Sequence, residues 1–276
     1  VLKQRVFTAV PLAAVLIAAV LYLPVLALAV LFGLVVLLAA WEWSQLLVAR
    51  QTPLRLLYLL PFLIAMPLLY HYCDLGGVPL RERVQPVLGT ACLFWSICFL
   101  WIKGYPGSAV IWGSVPGRAL VGLLVLLPAW LAVVFLLSFP HGHWLMLFVV
   151  LLVACADIGA YFFGTAWGRH KMLPAVSPAK SWEGFWGGML CCAALAALVW
   201  LLLPAQQLGL GGILAIVMCT ALAGVVGDLV ESMVKRHTGI KDSGSLLPGH
   251  GGVLDRVDSL TAAAPVFSLA LILVEW

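Results

Sequence analysis

Charge is what this chain has least of. Only 9% of its 276 residues are Asp, Glu, Lys or Arg, while 64% are hydrophobic. A soluble domain carries about 25% charged residues. Too few polar groups are present here to coat a core in water, which sets aside an ordinary soluble globule. Asparagine is missing altogether, so amide recognition of a nucleobase is left to backbone groups or the few glutamines. The period-2 alternation of a transmembrane barrel is absent, as is the G-x-x-x-x-G-K-[ST] spacing of a P-loop. Seven cysteines are present, but Cys92, Cys98, Cys155, Cys191, Cys192 and Cys219 lie in or beside apolar runs, and only Cys73 falls in a plausible loop. None shows metal-ligand spacing. They read as small hydrophobes, not as a disulfide framework.

What fills the chain is apolar runs, at roughly 6–22, 24–41, 56–72, 87–102, 118–139, 144–166, 186–203, 208–230 and 259–275. At 1.5 Å per residue each covers, or nearly covers, the roughly 30 Å of bilayer hydrocarbon. Irregular backbone cannot face lipid, so the runs are expected to be helices. The predicted fold class is all-α: a polytopic transmembrane protein of about nine spans, forming a single integral membrane domain over residues 1–276. Eight spans is the alternative, because the fourth and ninth runs are the shortest. The first run has the look of a signal-peptide h-region, but it flows through Tyr22 and Pro24 into the second without a polar exit and is read as a retained span.

Alternate threading gathers thirteen basic residues on one side: Lys3, Arg5, Arg50, Arg55, Lys103, Arg118, Arg169, Lys171, Lys180, Lys235, Arg236, Lys241 and Arg256. Only Arg81 and Arg83 fall on the other, where with Glu82 they read as a solvated outer loop. The positive-inside rule then makes the N-terminus and the loops at 167–185 and 231–258 cytoplasmic. Trp41, Trp43, Trp101, Trp112, Trp182 and Trp186 read as interfacial anchors near that boundary. The short connections at 73–86 and 103–117 are expected to be turns or brief re-entrant pieces.

Two acids fall inside apolar runs, where an ionisable group is costly. Asp157, in CADIGAYFFG, serves either a packing hydrogen bond or a ligand. Asp228, in GVVGDLVES, is either functional or a solvated helix exit. If the helix continues, Asp228, Glu231, Ser232 and Lys235 stand at i, i+3, i+4 and i+7 and share a face, with Arg236 beside it. The next stretch, HTGIKDSGSLLPGHGG, is broken by Gly239, Gly244, Pro248, Gly249, Gly251 and Gly252 and cannot be a long helix. It is a flexible connection or, with Lys241, His250 and free N–H groups, a phosphate cradle. Asp255 and Asp258 then share a face at the start of the last run, where Asp255 is the more natural cap. With Asp228 in reach they suggest a hard-cation site, since magnesium takes few carboxylates and leaves the rest to water and phosphate. In the other loop, GRHKMLPAVSPAKSWEGFWGG, Ser177–Pro178 predicts a helix N-cap with proline at the first position. Lys180, Ser181 and Glu183 follow, making either an anion site or an interfacial helix start. Gly184, Gly187 and Gly188 predict close packing. His141, His143 and His170 read as solvated.

Taken together, Ser232, Lys235–Arg236, Lys241–Asp242, Gly244, Leu247–Pro248, His250–Gly251–Gly252, Asp255–Arg256 and Asp258 resemble the signature of the phosphatidate cytidylyltransferases, the CDP-diacylglycerol synthases. Every fixed position of that 27-residue pattern, from 232 to 258, is filled. SPAKSWEG at 177–184 is similar to the family's S-P-x-K-[ST]-x-E-G block, with Ser181 for the commoner threonine, and GDLVES at 227–232 to the block before the signature. The resemblance implies transfer of a cytidylyl group from CTP to phosphatidate, giving CDP-diacylglycerol and pyrophosphate. It implies Mg2+, with K+ nearby, held by acids corresponding to Asp228 and Asp255, with Asp258 as a direct or outer ligand. Lys180, Lys235, Arg236 and Lys241 would hold phosphates, and His250 would contact a phosphate or carry a proton. Ser177, Ser181, Glu183, Ser232, Gly251, Gly252 and Arg256 complete the expected substrate site. A homodimer in a bacterial inner membrane, without nucleic acid, is also implied. A transporter would account for the intramembrane acids but not for two basic, glycine-bearing loops on one side. An alcohol phosphatidyltransferase would need a D-G-x-x-A-R…G-x-x-x-D-x-x-x-D pattern, which is not found.

Overall fold

The computed structural model describes residues 2–47, 51–202, 208–244, 246 and 251–275. All nine expected runs are helical: α1 (Leu2–Tyr22), α2 (Val25–Gln45), α3 (Thr52–Tyr72), α4 (Arg81–Gly104), α6 (Val115–Leu137), α7 (Gly142–Trp167), α8 (Trp182–Leu202), α9 (Leu210–His237) and α10 (Leu254–Leu273). A one-turn helix α5 (Ala109–Trp112) interrupts the connection before α6. Among the described residues eight of these, α2–α4 and α6–α10, are long and apolar enough to cross a membrane, and α1 adds an apolar stretch at Ala13–Tyr22. Large apolar side chains such as Leu26, Leu63, Leu100 and Phe162 are exposed on the outside. Water would not tolerate so continuous an apolar surface. The chain is a multi-pass membrane protein.

Local signals set the breaks. Pro24, at φ −68° and ψ 157°, precedes α2 without an N–H to continue α1. Ser114 caps α6 by accepting from Gly117 N at 3.1 Å, ahead of a proline in the first turn. The fourth run gains its missing length from Arg81, Glu82 and Arg83, which form the first turn of α4 and not an irregular loop. Those arginines remain exposed, Arg83 donating to Tyr72 O at 2.9 Å.

Helix α6 sits at the centre and α3 at the periphery. Aromatic side chains with polar ends tie the centre together, because a buried N–H or O–H needs a partner. Trp130 Nε1 donates to Ala29 O (3.0 Å), Trp43 Nε1 to Arg118 O (3.0 Å) and the Tyr58 hydroxyl to Ala119 O (3.1 Å). Two expected interfacial anchors are therefore corrected. Trp43 and Trp112 are each only 1% exposed and belong to the core, whereas Trp182 and Trp186 are exposed.

Between α7 and α8 lies a β-hairpin, β1 (Lys171–Leu173) antiparallel to β2 (Ser177–Ser181). This overturns the helix start expected at Ser177–Pro178. Proline's fixed φ suits an extended strand as well as a first helical turn, and pairing with β1 decides between them. The cap is Ser181, whose hydroxyl accepts from Gly184 N at 3.2 Å. The close packing expected of Gly184 and Gly188 is present: a Cβ on either would press on a carbonyl of α7, that of Ala160 or Ala156.

The connections predicted for one side meet at one end of the bundle. Arg236 Nε donates to Val176 O in the hairpin turn (3.3 Å), and His237 Nε2 lies 3.2 Å from Gly113 O before α6. At the opposite end Ser138 Oγ donates to Leu75 O at 3.0 Å.

Candidate active site

Helix α9 stays regular through His237, so the predicted stripe forms. Ser232 Oγ donates to Asp228 Oδ1 at 3.3 Å, and Lys235 Nζ lies 3.2 Å from Glu231 Oε1. The helix then stops. Thr238 ends it, and Gly239 takes φ +74°, a left-handed conformation that glycine adopts without strain.

Two other segments close on this face. From β2, Lys180 forms an ion pair with Asp228, each side chain about a quarter exposed. From α10, Asp258 faces both Asp228 and Glu231. The α9–α10 crossing can be this tight because Gly227 carries no side chain; a Cβ there would meet Asp258 O at 2.5 Å. Asp157, from α7, points toward the same group and lies within electrostatic reach of Asp228, Lys180 and Arg256.

Asp255 is engaged differently. Its carboxylate accepts from Lys235 Nζ (2.7 Å), Ser243 N (3.1 Å) and Gly252 N (2.8 Å). It thereby satisfies backbone donors at both ends of the glycine-rich connection. Gly251, at φ +82°, supplies the turn that brings Gly252 N round to it. The predicted acids thus fall into two adjoining groups. Asp228, Asp258 and Asp157 gather around Lys180, and Asp255 around Lys235, with Glu231 between them. Glu231 is 2% exposed, and neither of its oxygens receives a well-aligned hydrogen bond among the described residues.

No set of three or more His, Cys, Asp or Glu side chains among the described residues stands ready to hold a metal ion. Magnesium asks for less: one or two carboxylates, with water and phosphate completing its shell. Asp228 and Asp258, beside the buried carboxylate of Glu231, fit that requirement.

Beside the acids a cavity of about 370 Å³ opens between α7, β2, α8 and α9. Asp157 and Lys180 are its charged members, and Tyr161, Met172, Phe185 and Val225 give it apolar walls. Such a cleft suits a molecule with an anionic head and a hydrocarbon body.

The remaining predicted residues divide. Glu183 accepts from His170 N (3.2 Å) and pairs with His170 Nδ1 (2.6 Å), tying the base of the hairpin to α8. His170 is solvated as expected, its side chain 80% exposed, and hairpin pairing brings its ring to Glu183. Arg236 turns to the hairpin, and Arg256 is exposed near Asp157. Ser177 lies in β2, while Lys241 is exposed and makes no ion pair among the described residues. His250, Leu247 and Pro248 lie outside the described residues. One residue was missed. Glu42, in α2, is fully buried and accepts from Val253 N (3.0 Å), Leu254 N (2.7 Å) and Ser243 Oγ (3.3 Å). Its signal was an acid between two tryptophans at the end of an apolar run, hidden because a run end reads as an exit to water.

An apolar helical bundle carrying a carboxylate–lysine site at one end is the architecture of an integral membrane enzyme acting on anionic substrates. Residues 3–274 match the Cytidylyltransferase family, and the chain belongs to it. It is 42% identical over 275 residues to the phosphatidate cytidylyltransferase of Pseudomonas aeruginosa, covering 100% of this chain and 98% of that protein. It is 38% identical over 282 residues to the phosphatidate cytidylyltransferase of Haemophilus influenzae, covering 97% of each. With that of Staphylococcus epidermidis it shares 45% identity over 127 residues, 46% of this chain and 48% of that protein.

Proposed function

We infer that the chain transfers the cytidylyl group of CTP to phosphatidate, releasing pyrophosphate and forming CDP-diacylglycerol. The observation that carries this reading is the meeting of the hairpin and helix α9 on one pair, Lys180 with Asp228, beside Asp258 and an apolar-walled cavity. An oxygen of the lipid phosphate attacks the α-phosphorus of CTP. The new P–O bond forms as the bond between the α-phosphorus and the bridging oxygen breaks, and pyrophosphate leaves with those electrons. A phosphate monoester has a second pKa near about 6, so the nucleophile is ionised at neutral pH and needs no base.

Two polyanions must approach in a partly dry site, where their repulsion is strong. Lys180 would take a phosphate oxygen once it exchanges Asp228 for substrate, and Arg256, within electrostatic reach of Asp157, would add positive charge nearby. Lys235, held by Asp255 and Glu231, keeps the neighbouring backbone in place. Asp228 and Asp258 would hold a magnesium ion, which when bound neutralises phosphate charge and orients the leaving group. Asp255 joins only if Lys235 releases it. The acyl chains stay in lipid and the head group enters through the cavity. CTP arrives from the cytoplasm, taken as the side carrying thirteen of the fifteen Lys and Arg. A bacterial inner membrane and a homodimeric state, both carried by the family resemblance, complete the reading.

Purified protein in detergent, given CTP, phosphatidate and magnesium, is expected to form CDP-lipid and pyrophosphate, and to stop when the metal is chelated. Asp228→Asn should lower kcat/KM by about 10²–10³-fold. Lys103→Ala, an exposed lysine at the end of α4, should leave it unchanged. Full activity in Asp228→Asn, or in the absence of any divalent cation, would remove the assignment.

A further inference from the structure

We propose that Glu42 is a positioning residue for the cytidylyl transfer: a buried clamp from α2 that closes the connection between α9 and α10 and so sets Asp255 and Asp258 in place. The inference rests on the function proposed above.

The reasons begin with what α10 lacks. Its N-cap is Val253, a residue with no side-chain acceptor; Arg256 N finds Val253 O at 3.0 Å, but the cap offers nothing to Leu254 N. Glu42 supplies an acceptor from another helix. Oε1 accepts from Val253 N and Oε2 from Leu254 N, and the same Oε2 receives the Ser243 hydroxyl. One carboxylate thus grips the connection at its beginning and at its end. Asp255 lies in the first turn and Asp258 at the start of the second, so any rotation or fraying of the helix start moves both. The sequence allowed flexibility or a phosphate cradle as reasons for the glycines here. At two of them the structure gives another. A Cβ on Gly244 or on Gly252 would come within 2.8 Å of the Glu42 carboxyl carbon. These glycines are small because Glu42 fills the space.

A buried acid with satisfied hydrogen bonds can also be no more than a packing device. The two readings differ in what they do to kinetics. If Glu42 positions the site, Glu42→Gln, which offers one acceptor oxygen and turns an NH2 toward an N–H, lowers kcat/KM by about ten- to hundredfold. It also raises the magnesium concentration giving half-maximal rate, at temperatures where thermal unfolding shows the protein folded. A packing device lowers Tm and leaves the surviving molecules with wild-type kcat/KM and magnesium dependence; that result overturns the proposal.

Should Glu42→Gln fail to fold, a second series decides. Gly244→Ala should impair activity, and Glu42→Asp, one methylene shorter, should restore part of it in the double variant. Strict additivity of the two losses would refute the contact. Hydrogen exchange of full-length protein in detergent keeps this separate from the assigned reaction. If wild type makes no CDP-lipid, the function falls. The clamp still stands or falls on whether the amides of Ser243, Val253 and Leu254 lose protection in Glu42→Asp relative to wild type.

Discussion

Lys235 shows how much a single side chain carries in this site. Its side chain is 12% exposed, and its ammonium lies between the side chains of Asp255, 10% exposed, and Glu231, 3% exposed. Removing one partner of so enclosed a pair strands a charge, at about 3–5 kcal/mol. Lys235→Met is therefore expected to lower Tm sharply. The double variant with Asp255→Asn should lose less than the sum of the two single losses, as read by thermal unfolding in detergent. Additive losses would mean the pair is not coupled. The stripe containing Lys235 was legible in the sequence, because helical periodicity alone puts residues 228, 231, 232 and 235 on one face. Its partner was not. Asp255 reads as a helix cap, but its carboxylate goes to Lys235 and to the backbone of Ser243 and Gly252, and that choice between lysine, backbone and metal depends on which atoms come near. The same holds for Lys180, whose loop says only that it is basic and faces the same side as Asp228.

At the scale of elements, the α9–α10 crossing joins the acids. Gly227 lets α10 approach, and Gly227→Ala should force the helices apart at a cost of about 1–3 kcal/mol. Because Asp228 and Asp258 flank that contact, CDP-lipid formation should fall further than Tm predicts. Gly211→Ala, in the same helix but with no heavy atom near its added Cβ, should be neutral in both assays. The boundaries of α9 and α10 were only partly legible. Hydropathy ends the eighth run near 230, but the helix continues to His237 because its polar turns are held by Asp255, the hairpin and Gly113. The hairpin stands where the sequence predicts a helix start, for a related reason. Ser–Pro is compatible with both structures, and only pairing between Lys171–Leu173 and Ser177–Ser181 resolves it.

For the molecule as a whole, the arrangement predicts a simple topology. A cysteine at Val78, 80% exposed in the connection before α4, and one at Asp242, exposed in the loop after α9, lie at opposite ends of the bundle. In a background lacking reactive native thiols, an impermeant maleimide should label Val78→Cys only from outside the cell and Asp242→Cys only from the cytoplasmic face. Labelling of both from one side would undo the threading and with it the cytoplasmic access proposed for CTP.

The sequence by itself determined the spans, the side on which basic residues collect, and the polar signature that aligns with one family. Each of these is a local or periodic property: hydrocarbon thickness sets run length, and helical geometry sets which side chains share a face. Only the tertiary structure decided that Lys180 meets Asp228, that Asp255 belongs to Lys235 and the loop, and that Glu42 reaches across more than two hundred residues to Val253 and Leu254. Those partnerships follow from how helices stack, and stacking depends on shape and small-residue contacts spread over the whole bundle, which no stretch of chain contains alone.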